Sequence, residues 1–374
     1  MRLCTTVSAF CILTCSLARA GWVDLSANIP WPNDSMDLSS VYFIGNEGWI
    51  SAGYSRDTGY VFHTTDGGRT FDVQHAQYRL NSIHMVTRLD GYACGDYGLV
   101  YRTTDGGSNW SILGSIGVTA TCIDFPPGCD TGYCCGDNGH IARVTPDGVT
   151  PMNSGVPDDL GSISFPVTST EGWVCGGAIV RHCLGDSWRA DQTYAYGSYC
   201  TIIFTDNHNG WAGGGYGMVI HTTDGYNWDT QATPDSIDLF GSCFVDSSFG
   251  WVVGINGIIE RTTDGGQHWR VEAAGMTDHF LRGVFAVDTG TVYVVGNLKV
   301  FLKYDGRGGI EESHKPQATS SKPSATVVRV LPADAVVFDA TGRRVLNPKP
   351  GVYFVRAASR ELSAVSCQKV VLTR

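Results

Sequence analysis

A glycine followed by an aromatic residue recurs at near-constant spacing, at Gly48-Trp49, Gly91-Tyr92, Gly132-Tyr133, Gly172-Trp173, Gly210-Trp211 and Gly250-Trp251. A looser seventh copy runs from Gly290 to Tyr293, and successive glycines are 43, 41, 40, 38, 40 and 40 residues apart. Self-similarity at a fixed period of this length means that one supersecondary unit is being stacked, which constrains the fold more than any local propensity. Each copy continues through an apolar run, a Gly-rich turn, a second apolar run and a Thr-Asp-Gly segment. The clearest are Gly91-Tyr-Ala-Cys-Gly-Asp-Tyr-Gly-Leu-Val-Tyr-Arg-Thr-Thr-Asp-Gly-Gly-Ser-Asn-Trp110 and the matching stretch from Gly250 to Trp269.

Each unit parses into four short strands, which in the second copy fall near residues 82–86, 92–95, 99–103 and 110–113. The Gly-x-x-Gly between the second and third strands supplies the positive φ that a tight hairpin requires. Those two strands are apolar on both sides rather than alternating, which fits a sheet covered on both faces by its neighbours. No segment shows a helical period of useful length. Four antiparallel strands repeated every ~40–45 residues are the signature of propeller blades. The expected fold is therefore all-β: a seven-bladed β-propeller of four-stranded antiparallel blades over residues 21–306. The seventh unit stops at Lys303-Tyr304-Asp305-Gly306 without its fourth strand. Gly21-Trp22-Val23-Asp24-Leu25 resembles the missing strand and is predicted to pair there, locking the last blade to the first.

The segments Thr64 to Phe71, Thr103 to Trp110 and Thr262 to Trp269 match Thr-x-Asp-x-Gly-x-x-Trp/Phe, and Thr222 to Trp228 is one residue shorter. Degenerate versions stand at Thr145-Pro146-Asp147-Gly148, Cys183 to Trp188 and Tyr304-Asp305-Gly306. A turn aspartate accepts hydrogen bonds from backbone N–H groups a few residues on, while glycines take conformations closed to other residues. Asp66, Asp105, Asp147, Asp224 and Asp264 are accordingly expected to be structural. This Asp-box occurs in bacterial neuraminidase repeats. The fuller pattern resembles the photosystem II assembly/stability factor family of propellers over roughly residues 22–306. That resemblance implies a non-enzymatic propeller that binds protein, and a photosynthetic role does not travel with the repeat.

The two ends differ from the repeats. Met1-Arg2, the apolar stretch from Val7 to Leu17 and Ala18-Arg19-Ala20 read as a secretory signal peptide over residues 1–20. Residues 307–325 have the composition of a solvated linker. Residues 326–374 show strand-like alternation with turns, consistent with a small β-sandwich-like module. Val337-Phe338-Asp339-Ala340-Thr341-Gly342-Arg343-Arg344-Val345, then Pro350 to Arg356 and a basic-apolar terminus, resemble the type A sorting domain of type IX secretion, in a shorter form. The resemblance implies a Bacteroidetes-like host and a protein that is secreted or held at the bacterial cell surface.

Composition narrows the partners. A net charge of −10 argues against nucleic acid, which demands a clustered basic face, and no stretch reaches the ~18 apolar residues of a membrane helix. The enzyme alternative, a sialidase, requires an early Arg-Ile-Pro, which is absent, and flanking carboxylates that neither Asp158-Asp159 nor Glu311-Glu312 supplies. No nucleophile elbow, phosphate loop or metal-ligand spacing appears, so neither catalytic residues, metal nor cofactor is expected. Cys94, Cys135 and Cys175 share one slot in successive repeats and read as buried thiols, whereas Cys129 and Cys134 flank one hairpin turn and are the candidate disulfide.

Two sets of residues are candidates for partner contact. Tyr97, Tyr194, Tyr196, Tyr199 and Tyr216, with Asp96, Asp137, Asp158 and Asp238, fall in loops that share one propeller face. Aromatic residues are what interfaces enrich. A basic position also recurs near the end of the third strand, at His63, Arg102, Arg143, Arg181, His221, Arg261 and Lys303. It either stacks on the neighbouring aromatic or forms a positive belt that receives an acidic segment. The expectation is a monomeric, exported scaffold for a protein or peptide. A glycan-binding or glycan-cleaving propeller is the alternative, since tyrosines stack equally well on sugar rings.

Overall fold

The structure, a computed structural model, describes residues 21–31, 35–177, 179–185, 187–193, 198–273 and 275–306, together with the strands Thr326–Val328, Val336–Phe338, Gly351–Arg356 and Cys367–Leu372. Residues 1–20 and 307–325, and with them the expected signal peptide and linker, lie outside the described residues. Seven four-stranded antiparallel sheets make the seven blades of a β-propeller. Blade 1 comprises Asp37–Ile44, Glu47–Ser55, Thr58–Thr64 and Asp72–Ala76, paired in that order. Blades 2 to 6 repeat the pattern, starting with Leu80–Met85, Ala120–Asp124, Ser162–Thr168, Tyr199–Phe204 and Leu239–Phe244. These first strands run beside one another around the ring, and that of blade 7, Leu281–Asp288, meets that of blade 1.

Closure occurs as expected. Trp22–Asp24 adds to Phe301–Tyr304 as the outer strand of blade 7, with Trp22 opposite Tyr304 and Asp24 opposite Leu302. The Leu25 N–H continues the ladder to the Phe301 carbonyl at 2.8 Å. The ends of the propeller thus share one sheet, and blade 7 has the same four strands as the others.

Aromatic stacking welds blade to blade. In four blades the aromatic of the Gly-aromatic pair lies face to face on a phenylalanine in, or just after, the first strand of the next blade. Ring centroids are 4.3 Å apart for Tyr92–Phe125, 4.1 Å for Tyr133–Phe165, and 3.7 Å for both Trp173–Phe204 and Trp211–Phe244. Across the closure, Phe43 stacks on Tyr293 at 3.6 Å. Burying such a ring removes ~150–250 Å² from water, worth at most roughly 4–6 kcal/mol. The repeat glycine makes room for the phenylalanine of its own blade, which stacks on the preceding blade's aromatic, since a Cβ on Gly172 or Gly210 would collide with Phe165 or Phe204.

The Asp-boxes are structural turns. In blade 1 the Asp66 carboxylate accepts from the Arg69 and Thr70 N–H groups at 2.9 and 3.0 Å, and from the Thr70 hydroxyl at 2.7 Å. The buried Thr64 hydroxyl donates to Asp66 at 2.9 Å and accepts from Gly68 N–H at 3.0 Å. Asp105, Asp224 and Asp264 repeat this arrangement. Side-chain and backbone donors hold all four carboxyls below the usual carboxylate range. Asp147 is the exception. In blade 3 Thr145 pairs directly with Gly148, so the turn is a two-residue hairpin with no room for the box.

Cys129 and Cys134 are free thiols, which corrects the candidate disulfide. Strand alternation turns Cys134 into the core between blades 2 and 3, beside Cys94 and Phe125, while Cys129 stays in the loop. Cys94, Cys135 and Cys175 are fully buried and form no disulfide, and burial pushes each thiol well up.

Residues 311–374 form a second compact unit. Its described strands make one four-stranded sheet in the order Thr326–Val328, Cys367–Leu372, Gly351–Arg356, Val336–Phe338, with the first pair parallel and the others antiparallel. Residues 339–345 of the stretch that resembles a sorting domain lie outside the described residues.

Candidate functional site

The recurrent basic position faces the aromatic of the same blade in every repeat. Register places His63 opposite Trp49, Arg102 opposite Tyr92, Arg143 opposite Tyr133, His221 opposite Trp211, Arg261 opposite Trp251 and Lys303 opposite Tyr293. In blade 4 the residue is His182, opposite Trp173, not Arg181, which pairs with Val174. The connection between the second and third strands is one residue shorter there, which moves the slot by one. The contacts are close: ring centroids are 4.8 Å apart for His182–Trp173 and 4.6 Å for His221–Trp211, and the Arg261 guanidinium lies 5.3 Å from the Trp251 centroid.

Four of these side chains also contact carboxylates. Arg102 forks onto Asp90 with two bonds of 3.0 Å, Arg261 reaches Glu272 at 3.2 Å, and His63 and His182 contact Glu47 and Glu171 at 3.2 and 3.3 Å. Arg102 and Lys303 further donate to backbone carbonyls of the next blade, at Pro146 and Gly67. The repeated base therefore stacks, pairs and stitches seams, which is what the structural of the two readings requires.

The opposite face carries a different feature. The turns between second and third strands bond to the connections that enter each blade, as in Asp96 N–H to Arg79 O and Asp137 N–H to Thr119 O, both 3.0 Å. The two kinds of loop therefore share one face, as expected. In the turns of blades 2, 3, 5 and 6 one non-glycine residue sits at left-handed φ, namely Tyr97 (59°), Asn138 (54°), Tyr216 (58°) and Asn256 (56°), and in blade 7 both Leu298 and Lys299 do, at 56°. Asparagine tolerates this conformation, whereas a bulky ring there is strained. Tyr97 and Tyr216 are nonetheless 52% and 79% exposed. The Tyr97 hydroxyl bonds Asp57 at 2.9 Å, and its ring lies on Tyr78. Asp238 serves the turn by accepting the Tyr216 N–H at 2.8 Å. Tyr194 and Tyr196 lie outside the described residues, as do the side chains of Arg181 and Tyr199.

Sequence reasoning missed a third cluster. A cavity of about 430 Å³ opens where first strands pass into second strands, at the end of the ring axis that carries the Asp-box turns. Equivalent positions of successive first strands supply its polar wall: Tyr42, His84, Asp124 and Ser164. His84 Nδ1 and Asp124 Oδ1 are 3.2 Å apart, and Asp124 Oδ2 accepts the Phe165 N–H at 2.6 Å. Tyr42 packs on His84 with centroids 4.7 Å apart, and burial with the nearby Asp124 charge pushes its hydroxyl up to about 12. The four residues precede the repeat glycine by six, seven, eight and eight positions, so varying turn length hides their equivalence in the sequence. Among the described residues no cluster of three or more His, Cys, Asp or Glu side chains could hold a metal, and no helix is long and apolar enough to cross a membrane.

Fold and Asp-box geometry together define the class: a seven-bladed β-propeller of four-stranded blades with Asp-box turns. Among solved structures the chain is similar to YCF48 bound to D1 peptide, at 18% identity and a TM-score of 0.61, over 76% of this chain and 96% of that one. YCF48 from Cyanidioschyzon merolae is similar at 19% identity and a TM-score of 0.60, over 76% and 98% of the two chains. The enzyme virginiamycin B lyase from Staphylococcus aureus is also similar, at 10% identity and a TM-score of 0.60, over 75% and 97%. At these identities the likeness is one of fold, and the fold alone hosts both binding proteins and enzymes. No family model and no curated protein matches the chain.

Proposed function

We propose that this protein is an exported, non-enzymatic propeller scaffold that binds a protein or peptide segment outside the cell or at the cell surface. The observation that carries the reading is the pair of exposed tyrosines held at left-handed φ, Tyr97 and Tyr216, at the turn position where blades 3 and 6 use asparagine. Such backbone strain costs of order 1–2 kcal/mol per residue. Tyr216 is 79% exposed and makes no ring contact that repays it among the described residues. A large, half-rigid, amphipathic ring on a fixed turn suits a binding face. Support comes also from likeness to a propeller solved with a bound peptide. The N-terminal segment and the resemblance of residues 326–374 to a sorting domain support export.

The test replaces Tyr97 and Tyr216 together with Asn. Crosslinking through a photoreactive residue at position 54, on the same face, then compares parent and variant in extracts of the producing organism. A partner captured by the parent and lost by an equally folded variant supports the reading, and unchanged capture overturns it. Selective, tight binding on a glycan array that the same substitutions abolish would instead favour the sugar-binding alternative.

A further inference from the structure

The cavity at the Asp-box end of the ring axis is chemically lopsided. Tyr42, His84, Asp124 and Ser164 face it from blades 1 to 4, whereas Ile203 and Phe244 face it from blades 5 and 6. Asp124 is the one carboxylate among its lining residues, and none of them is Lys or Arg.

Asp124 Oδ2 accepts the Phe165 N–H, and its Oδ1 lies 3.2 Å from His84 Nδ1. A carboxylate beside Nδ1 favours the tautomer with the proton on that nitrogen, in which Nε2 is an acceptor. Neither His84 Nε2 nor the Tyr42 hydroxyl hydrogen-bonds to a described residue, and both belong to side chains lining the cavity. Stitching adjacent blades does not call for this pair. Ser164 performs the same stitch one blade on, accepting the Phe204 N–H at 3.1 Å with a neutral hydroxyl. The carboxylate and imidazole exceed what the seam needs.

We propose that this cavity binds a protonated amine or guanidinium on a short apolar stem. The cationic head would donate to His84 Nε2 within the field of Asp124, and the stem would lie on the apolar half. A volume of about 430 Å³ is in the range of small-ligand sites and admits a group the size of a lysine side chain. Such a head has two sources, a free amine or a basic side chain of a bound peptide. The cavity faces away from the Tyr97–Tyr216 turns, so this site stands whether or not those turns bind a partner.

The experiment titrates the full chain, with ¹⁵N-labelled histidine, against n-butylammonium, n-butanol and butyrate at equal ionic strength, following the His84 ring nitrogens by NMR. Saturable perturbation of Nε2 by butylammonium, at least roughly tenfold weaker with butanol and absent with butyrate, is expected. His84→Phe should lose the binding, and a melt of that variant checks that it folds. Butyrate binding as well as the ammonium, or no ligand perturbing His84, overturns the proposal, and this wild-type readout needs no variant. Acetyl-Ala-Lys-Ala-amide against its norleucine counterpart separates the sources: perturbation by the lysine peptide supports a side-chain occupant, and perturbation by butylammonium alone supports a free amine.

Discussion

Trp49 Nε1 donates a hydrogen bond to the carbonyl oxygen of Gly106 across the seam between blades 1 and 2, at 2.8 Å. Trp173 and Trp211 do the same to Gly225 and Gly265, at 2.9 and 3.0 Å. In each case the acceptor is an Asp-box glycine of the following blade. The box thus shapes its own turn and also presents a carbonyl to its neighbour. Trp251 faces blade 7, whose box is degenerate, and its Nε1 is buried without a partner.

That contrast gives a paired prediction. Trp49→Phe and Trp251→Phe lose similar ring volume, but only the first breaks a buried hydrogen bond and orphans a carbonyl. Trp49→Phe should cost about 1–2 kcal/mol more than Trp251→Phe, seen as a lower melting temperature. Equal losses would show that the indole bond contributes nothing.

Glu260 sits almost fully buried at 1% exposure on the third strand of blade 6, its carboxyl oxygens without hydrogen bonds of good geometry. Burial, with Asp235 nearby, pushes it up to about 7. An acid whose folded value lies above its unfolded one binds its proton more tightly in the native state. Its contribution is therefore full below about pH 4.5, and it is lost as pH rises through about 7. Stability should fall across that window by at most about 3 kcal/mol. Glu260→Gln should flatten the fall and raise the melting temperature at pH 8, whereas a parallel pH profile in the variant would refute the assignment.

Closure can be tested by deletion. Trp22 stacks obliquely on Tyr304 with centroids 5.4 Å apart and donates from Nε1 to Glu272 of blade 6 at 3.1 Å. Removing residues 21–27 should lower the melting temperature by several degrees and expose the Phe301–Tyr304 edge to faster hydrogen exchange. An unchanged melt would mean that the ring holds without its clasp.

Arg102 and Asp90 are joined by two bonds of 3.0 Å over the Tyr92 ring. A double-mutant cycle with Arg102→Gln and Asp90→Asn should return a coupling of about 1 kcal/mol. If the single variants melt like the parent but the protein loses a salt-sensitive partner, the position serves binding rather than packing.

Blade number, the closing strand at Trp22 and the role of Asp66 were legible in the sequence, because each rests on local chemistry repeated along the chain. A Gly-aromatic pair, a positive-φ turn and a Thr-x-Asp-Gly box carry the same meaning in every copy, and a fourth strand missing from one end can be found at the other. The tertiary structure decided what depends on distance across a seam. Residues some forty positions apart, such as His84 and Asp124, meet only because the ring sets first strands side by side. The shortened turn of blade 4 put His182, not Arg181, on Trp173, and strand alternation buried Cys134 away from Cys129. Pattern specifies each blade, whereas contacts between blades depend on turn length and register, which no single repeat records.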